Sequence, residues 1–266
     1  MIGITTCLRP EEKVVALAKT RAMELGVPCL IRDGSLWQMA EKHSLEGFLV
    51  YGAKSYFWIA GETYAFHLGT AALRILQMKR GAADRLCRHV SIRPGMRILD
   101  CTFGQGGDSV VLSWYAGQAG QVVSLEKSKA LYEMGRMGLA GFSDAPLDVV
   151  AALRRITLIN EDFHAFLRKQ PEGSFDYIYF DTMFAYPVKR EQNRREGFRR
   201  AACYDSLDED ALHEACRVSS CKVIVKERPF SRIFKSPLFT EIQVHPGQST
   251  AYGVIQVCRG KSLSLY

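Results

Sequence analysis

An alternation of short apolar strands and helices, repeated from about residue 95 onward, most constrains how this chain can fold. Five segments are short, apolar and rich in β-branched residues, as strands buried on both faces of a sheet are. They are Arg97–Cys101, Gln121–Leu125, Ile156–Asn160, Phe175–Asp181 and Cys221–Lys226. The helical segments between them are Asp108–Ala116, Ser128–Leu139, Phe163–Lys169, Lys189–Ala201 and Leu207–Val218. This order predicts a doubly wound α/β sheet with right-handed crossovers, which Glu241–Val244 and Tyr252–Cys258 would close as an antiparallel pair.

Residues 1–92 have a different order of short strands and helices, which predicts a smaller α+β domain on the N-terminal side of a large domain over residues 93–266. The expected strands are Ile2–Thr6, Pro28–Ile31 and Gly47–Tyr51, followed by a hairpin of Tyr56–Ile59 and Glu62–Phe66. One helix is expected to have Pro10 in its first turn, to run through Val14 and to stop at Gly26, and further helices are expected over Leu36–His43 and Thr70–Lys79. We expect the small domain to bind substrate or to act as a lid.

Composition excludes several classes of protein. With 266 residues and 47% hydrophobic residues the chain is globular, and neither a secretory apolar region nor a run of about 18 apolar residues is present. The eight cysteines are scattered without a Cys-x-x-Cys pair, so neither a disulfide framework nor a structural metal is expected. These features predict a soluble, cytoplasmic protein.

A glycine-rich loop follows the first strand of the large domain. Gly104-Gln-Gly106-Gly107 leads directly into a helix, so the backbone can approach a ligand closely. A dinucleotide fingerprint would require glycine at position 109, where this chain has Ser109. Asp100 precedes the loop and would repel a pyrophosphate. A cationic cofactor, S-adenosylmethionine, fits an acidic strand end better because its sulfonium attracts the carboxylate.

Further acidic residues follow the next two strands. Glu126 stands nineteen residues after Gly107, close to the roughly 20 expected for a carboxylate that holds ribose hydroxyls. The segment Asn160-Glu161-Asp162 can offer a hydrogen-bond acceptor or donor to the adenine amine. Polar ends on three strands of one sheet therefore predict one nucleoside site, although the same residues could also act only as helix caps and turn formers.

The chain resembles class I S-adenosylmethionine-dependent methyltransferases, and more closely the family of ribosomal RNA small-subunit methyltransferase J. The resemblance rests on the segments Leu99–Asp108, Leu125–Ser128, Phe180–Phe184 and Val223–Pro229. It implies a Rossmann-like methyltransferase sheet and a role in ribosomal RNA processing. The implied cofactor-binding residues are Asp100, Thr102, Gly104, Gly106, Gly107, Asp108, Glu126, Lys127, Asp162, Phe163 and Asp181. Relatives usually have Arg in place of Gly107 and Pro in place of Thr182.

The step Asp181-Thr182-Met183-Phe184 is the predicted catalytic segment. Methylation of an exocyclic base amine requires acceptors for its N–H groups, and the Asp181 carboxylate and Thr182 carbonyl are suited to this. Phe184 would stack on the base, with Tyr186 in reserve. A core aromatic at position 184 is the alternative.

A basic segment follows this step. Between Lys189 and Arg200 six bases stand against two acids, in a chain whose net charge is +7. The predicted RNA-binding residues are Lys189, Arg190, Arg194, Arg195 and Arg199, and Lys226 and Arg228 are expected to add to the same surface. The favoured substrate is therefore guanine N2 in ribosomal RNA or the small ribosomal subunit. A small-molecule or protein amine, or a non-catalytic cofactor-binding module, remains an alternative.

Overall fold

A computed structural model of the chain describes residues 1–91, 95–182, 207–244, 247 and 249–257. These residues divide into two compact units. The first comprises residues 1–67 and 128–143, and the second comprises residues 68–127, 144–182 and the described residues from 207 onward. The units differ from the predicted ranges 1–92 and 93–266, and the roles assigned to those ranges stay predictions.

The first unit is built on a four-stranded sheet. Its strands are β1 (Ile2–Thr6), β2 (Gly47–Tyr51), β3 (Tyr56–Ile59) and β4 (Glu62–Tyr64), in the order β1-β2-β3-β4. Strands β1 and β2 are parallel, while the other pairs are antiparallel. The helices are α1 (Glu12–Leu25), α2 (Leu36–Lys42) and α5 (Lys129–Gly141). Helix α1 ends at Gly26, whose left-handed φ of 59° suits glycine.

The predicted strand Pro28–Ile31 is wrong. This segment forms only one isolated parallel bridge, between Cys29 and Ile4. Ile4 donates to the Pro28 carbonyl and accepts from the Leu30 N–H, each at 2.8 Å. The pairing stops there because Pro28 has no N–H to donate and Ile31 already lies 85% exposed.

The second unit contains the large sheet predicted from the strand–helix alternation. Its strands are β5 (Arg97–Asp100), β6 (Gln121–Leu125), β7 (Ile156–Ile159), β8 (Phe175–Phe180), β9 (Ser219–Glu227), β10 (Glu241–Val244) and β11 (Ala251–Gln256). The order across the sheet is β10-β11-β9-β8-β5-β6-β7. The five strands from β7 to β9 in this order are parallel, and β11 is antiparallel to both of its neighbours. The doubly wound Rossmann-like fold is thereby confirmed.

Helices pack against this sheet in two groups. The helices of this unit are α3 (Ala71–Lys79), α4 (Gly107–Ala116), α6 (Leu147–Arg155), α7 (Phe163–Lys169) and α8 (Glu209–Val218). Helix α4 contacts α3 and α6, while α7 contacts α8. The core on the α7 and α8 side includes Leu99, Ile178 and Val223 of the sheet. Among the described residues, no helix is long and apolar enough to cross a membrane.

The strand order reverses at β5, which is hydrogen bonded to β6 on one side and to β8 on the other. In open α/β sheets, ligands bind outside the carboxyl ends of the strands at such a reversal. We therefore expect the ligand site among the residues that follow β5, β6 and β8. The helix predicted over Lys189–Ala201 lies outside the described residues.

Candidate functional site

The loop between β5 and α4 is a tight turn shaped by glycine. Gly104 and Gly106 have left-handed φ values of 55° and 78°. The Gly106 N–H donates to the Phe103 carbonyl at 2.7 Å, and a Cβ on Gly106 would lie 2.5 Å from the Phe103 ring. The Phe103 N–H in turn donates to the carbonyl of Leu125 at the end of β6 (2.8 Å). The loop is thus folded closely against the neighbouring strand end.

Asp100, predicted to face a cationic cofactor, is 1% exposed. Its carboxylate accepts the Thr102 N–H at 3.0 Å and the Ser109 hydroxyl from the first turns of α4. Ser109 also accepts a hydrogen bond from Ser124 of β6 at 3.0 Å. Burial raises the pKa of Asp100 to about 6, although these two hydrogen bonds oppose the rise. The contacts described for Asp100 therefore fix the loop between β5 and α4.

Glu126 lies at the end of β6, beside the same loop. One carboxylate oxygen accepts the Gly104 N–H at 3.0 Å. Asn160, after β7, donates its side-chain amide to the carbonyls of Glu126 (2.7 Å) and Lys127 (3.1 Å). The Lys127 ammonium pairs with Asp162 at 2.9 Å. The polar ends of β5, β6 and β7 are thereby brought together, as the sequence predicted.

Phe163 and Asp162 are also structural residues of helix α7. Asp162 caps the helix by accepting the Ala165 N–H at 3.2 Å. Phe163 is 5% exposed and its ring packs edge-on against Phe180, with centroids 5.4 Å apart. Phe163 therefore lies in the core beneath the strand ends.

Asp181 follows β8 and is tied to the glycine loop. Its N–H donates to the Thr102 hydroxyl oxygen at 2.7 Å, so the ends of β5 and β8 are held in a fixed relation. Its carboxylate accepts the Lys226 ammonium at 2.5 Å. The next residue, Thr182, is buried and donates its hydroxyl to Glu227 at 3.4 Å.

A chain of charged groups continues from Asp181. Lys226 also contacts Asp108 at 3.1 Å, and Asp108 accepts the Tyr179 hydroxyl at 2.8 Å. Arg74 of α3 bridges Asp108 and Asp84. Its two hydrogen bonds to the Asp84 carboxylate are 2.8 and 2.9 Å long. Two cations thus separate three carboxylates, and each carboxylate faces at least one cation.

The pKa values of these groups follow from burial and from their partners. Burial alone would raise the pKa of Asp108, but Lys226 and Arg74 outweigh it and hold the pKa well below its usual range. Burial raises the pKa of Asp181, Lys226 opposes the rise and Asp108 adds to it. Burial alone would lower the pKa of Lys226, yet Asp108 and Asp181 together raise it. Lys226 is therefore a permanent cation beside a carboxylate of raised pKa.

A cleft of about 290 Å³ reaches this network from the side of α3. Its lining includes Arg74, Asp84, Asp108, Lys226 and Tyr252. The charged chain is therefore accessible to solvent along one side, and only partly buried.

The structure corrects two of the sequence expectations. Lys226 and Arg228, expected on a phosphate-binding surface, are both largely buried in this unit. Lys226 is engaged by carboxylates, and Arg228 is 9% exposed and donates to the Ser249 carbonyl at 3.2 Å. Phe184 and the basic residues Lys189, Arg190, Arg194, Arg195 and Arg199 lie outside the described residues.

Sequence reasoning missed the network around Asp108. Its signal was present only in part, because Tyr179 and Asp181 are two residues apart at the end of a predicted strand. Since side chains alternate along a strand, Tyr179 and Asp181 share one face of the sheet. Arg74 had no such signal, since it comes from a helix that precedes the sheet.

The residues present fit S-adenosylmethionine. The glycine loop keeps its backbone open, because a Cβ on Gly107 would meet no atom within 4 Å. Carboxylates and an amide at the ends of β6 and β7 match ribose hydroxyls and an adenine amine in chemical type, while the buried Asp100 of β5 holds the glycine loop in place. The carboxylates exceed the cations in the charged chain, so a positively charged ligand is electrostatically favoured beside it.

Comparisons with known proteins agree with this geometry. The family described as "Putative SAM-dependent methyltransferase" matches residues 62–239, more than half of the chain. The Bacillus subtilis protein YpiP, itself uncharacterised, is 30% identical over 259 residues, which cover 95% of this chain and 98% of that protein. Ribosomal RNA small subunit methyltransferase J of Laribacter hongkongensis is 27% identical over 173 residues, covering 64% of this chain and 60% of that protein.

The fold is also that of a solved methyltransferase. The crystal structure of the SAM-dependent methyltransferase NGO1261 from Neisseria gonorrhoeae shares 18% identity and a TM-score of 0.63, with full coverage of both chains. The family match over residues 62–239 confirms the predictions of the activity and of the cofactor. The chain belongs to the family of S-adenosylmethionine-dependent methyltransferases and is an enzyme that uses S-adenosylmethionine as its cofactor.

Proposed function

We propose that this enzyme methylates an exocyclic base amine of RNA, most specifically N2 of a guanine in ribosomal RNA. The observation that carries the proposal is the placement of Asp181. Its carboxylate stands at the end of β8, beside the strand reversal at β5, and its backbone is fixed by Thr102. A carboxylate in that position suits recognition of an amine N–H next to the cofactor site.

The proposed mechanism assigns orientation to the chain's own residues. S-adenosylmethionine, when bound, supplies a methyl group activated by its sulfonium, so the protein has to align the nucleophile and exclude water. Asp181 accepts one N–H of the base amine, and the Thr182 carbonyl accepts the other. This keeps the nitrogen lone pair available and favours the positive charge that develops on nitrogen, and the proton that the methylated nitrogen then loses passes to Asp181 or to water. Phe184 is proposed to stack on the base.

Two observations support RNA as the substrate class. The relative from Laribacter hongkongensis is named as a ribosomal RNA small subunit methyltransferase. The chain carries a net charge of +7, with much of the excess concentrated in Lys189–Arg200. Such a basic segment suits RNA phosphates, whose binding would release counterions.

The substrate is tested by mass spectrometry of nucleosides from ribosomal RNA of cells with and without the gene. We expect one methylated guanosine to be lost in the deletion strain and to return on complementation. An unchanged set of RNA nucleosides, together with a methylated amine found in a protein or metabolite fraction, would overturn the proposal.

The catalytic role of Asp181 is tested with Asp181→Asn, which preserves shape but removes the charge. Acid–base contributions of this type amount to about 10²–10⁴-fold, so kcat on RNA should fall by at least 100-fold. The cofactor Kd should change far less than kcat. Asp210→Asn, on an exposed residue of α8, is the matched control and should retain activity.

The basic segment is tested by reversing three charges and measuring RNA binding at several salt concentrations. The variant carries Arg194→Glu, Arg195→Glu and Arg199→Glu. Its RNA affinity should fall and the dependence of affinity on salt should become shallower. A control with the same change in charge reverses three exposed lysines of the first unit, Lys13, Lys19 and Lys42. Equal loss in both variants would indicate a general charge effect and no specific RNA surface.

A further inference from the structure

The Lys226 ammonium is placed between two carboxylates by strand register. Strands β8 and β9 are parallel, with Phe180 opposite Val225. The next pair in that register is therefore Asp181 opposite Lys226, on the face of the sheet that also carries Tyr179. On its other side, Lys226 lies opposite Tyr252 of β11 in the antiparallel pair.

We propose that Lys226 is a positioning residue of the methyl-transfer reaction: its ammonium favours the ionised form of Asp181 and fixes the orientation of the carboxylate that receives the amine N–H. This inference rests on the proposed function, because it assigns Asp181 the role of acceptor. The contacts that carry it are those of Lys226 Nζ with Asp181 (2.5 Å) and with Asp108 (3.1 Å).

The environment makes this ion pair effective. The side chains of Lys226, Asp181 and Asp108 are 22%, 27% and 13% exposed, so water screens their charges only in part. Among the described residues, the charged and titratable groups that interact with Asp181 come from four elements of this unit. They are Asp108 of α4, Tyr179 of β8, Lys226 of β9 and Tyr252 of β11, with Arg74 of α3 behind Asp108. Lys226 is the cation among them that touches the Asp181 carboxylate.

Removal of this cation would leave Asp181 and Asp108 as neighbouring like charges. Two carboxylates that share a site cannot both stay ionised easily, so one of them takes up a proton. Asp108 retains Arg74 as a partner and Asp181 does not, so Asp181 is the group that becomes protonated. A protonated Asp181 presents a hydroxyl toward the base amine and loses part of its capacity as an acceptor.

The direction of the pH effect follows from this reasoning. The active form of Asp181 is the ionised carboxylate, so kcat rises with pH through its pKa. Burial raises that pKa and Lys226 lowers it, so loss of Lys226 moves the acid limb of the profile to higher pH. A residue with a purely structural role would lower activity at every pH and would leave the limb where it is.

The test measures kcat as a function of pH for the wild type, Lys226→Met and Lys226→Arg. Because the pKa of Asp181 is about 7, we expect the acid limb of Lys226→Met to move up by at least one pH unit, with at least about a fivefold loss of kcat at pH 7 that is largely recovered near pH 9. Lys226→Arg keeps the cation and should keep the limb close to that of the wild type. Lys222→Met removes a lysine four residues earlier on the same strand and face, and should change neither.

A second measurement does not depend on the substrate. The pKa of Asp181 is followed by NMR in protein with 13C-labelled aspartates, and its signal is identified from Asp181→Asn. An upward shift in Lys226→Met supports the inference, and an unchanged midpoint overturns it even if activity is lost. If the wild type methylates no RNA, the proposed function fails while this titration still decides what Lys226 does to Asp181.

Discussion

Replacement of Gly106 by alanine should damage both the stability of the large unit and its affinity for the cofactor. Gly106 has a φ of 78°, where an L-residue costs roughly 1–2 kcal/mol. The added Cβ would also lie 2.5 Å from the ring of Phe103, which is 4% exposed and has little room to move. Displacing a buried ring from its rotamer costs about 0.5–1.5 kcal/mol more.

These two effects predict a loss of about 2–3 kcal/mol, equivalent to a fall in Tm of about 5–10 °C for a unit of this size. If the loop reaches its native shape only part of the time, the apparent affinity falls by the same fraction, so Kd for S-adenosylmethionine should rise at least 10-fold. Thermal unfolding and calorimetry of cofactor binding measure both effects.

Gly107→Ala is the matched control for this prediction. A Cβ at Gly107 meets no atom within 4 Å, and its φ lies outside the left-handed region. Alanine also suits the first turn of α4. Tm should therefore be unchanged or slightly higher, and Kd should stay within about threefold. Equal behaviour of the two variants, impaired or not, would refute the reasoning from the shape of the loop.

Three further predictions concern other buried contacts. Glu133→Ala removes the buried carboxylate that accepts from Tyr51 in the first unit and should cost about 3 kcal/mol by chemical denaturation. Burial alone would raise the pKa of Glu133, but its hydrogen bonds lower it, so the difference from wild type should be full at pH 7 and shrink as pH falls below 4.5. Glu126→Gln should weaken cofactor binding by about 10-fold in calorimetry, since it weakens a charge-assisted hydrogen bond to the loop. Thr182→Val should cost less than about 1 kcal/mol in thermal unfolding, because its bond to Glu227 is long at 3.4 Å.

Most strands of the large sheet were predictable because each is a short apolar run between turn residues. Helix α6 (Leu147–Arg155) was missed, although its buried positions Val149, Ala152 and Leu153 have helical spacing. A single helix over Ser128–Leu139 already satisfies the strand–helix alternation between β6 and β7, so the alternation alone does not require a second helix. The prediction of a strand over Pro28–Ile31 was wrong because β propensity cannot supply the hydrogen-bond partners that a strand needs.

The residues of the site also differ in whether the sequence could predict them. Asp100, Glu126 and Asp181 were predictable because the carboxyl ends of neighbouring parallel strands meet at one edge, so position in the sequence determines position in the fold. The partners of these residues were not predictable in this way. Contact between Lys226 and Asp181 depends on which strand lies beside β8 and in what register, and the register shifts between Phe175 and Tyr177. Arg74 reaches Asp108 from a helix outside the alternation altogether.

Thr182 stands where the resemblance to the methyltransferase J family implies proline, and the contacts of Asp181 explain why threonine is compatible with an ordered site. Proline would stiffen the step after Asp181 through its fixed φ. Here the same step is anchored from both sides of Asp181, by the Thr102 hydroxyl on its N–H at 2.7 Å and by Lys226 on its carboxylate. The weaker contact of Thr182 with Glu227 adds little to these two. The orientation of Asp181 therefore depends on tertiary contacts from β5 and β9 more than on the residue that follows it.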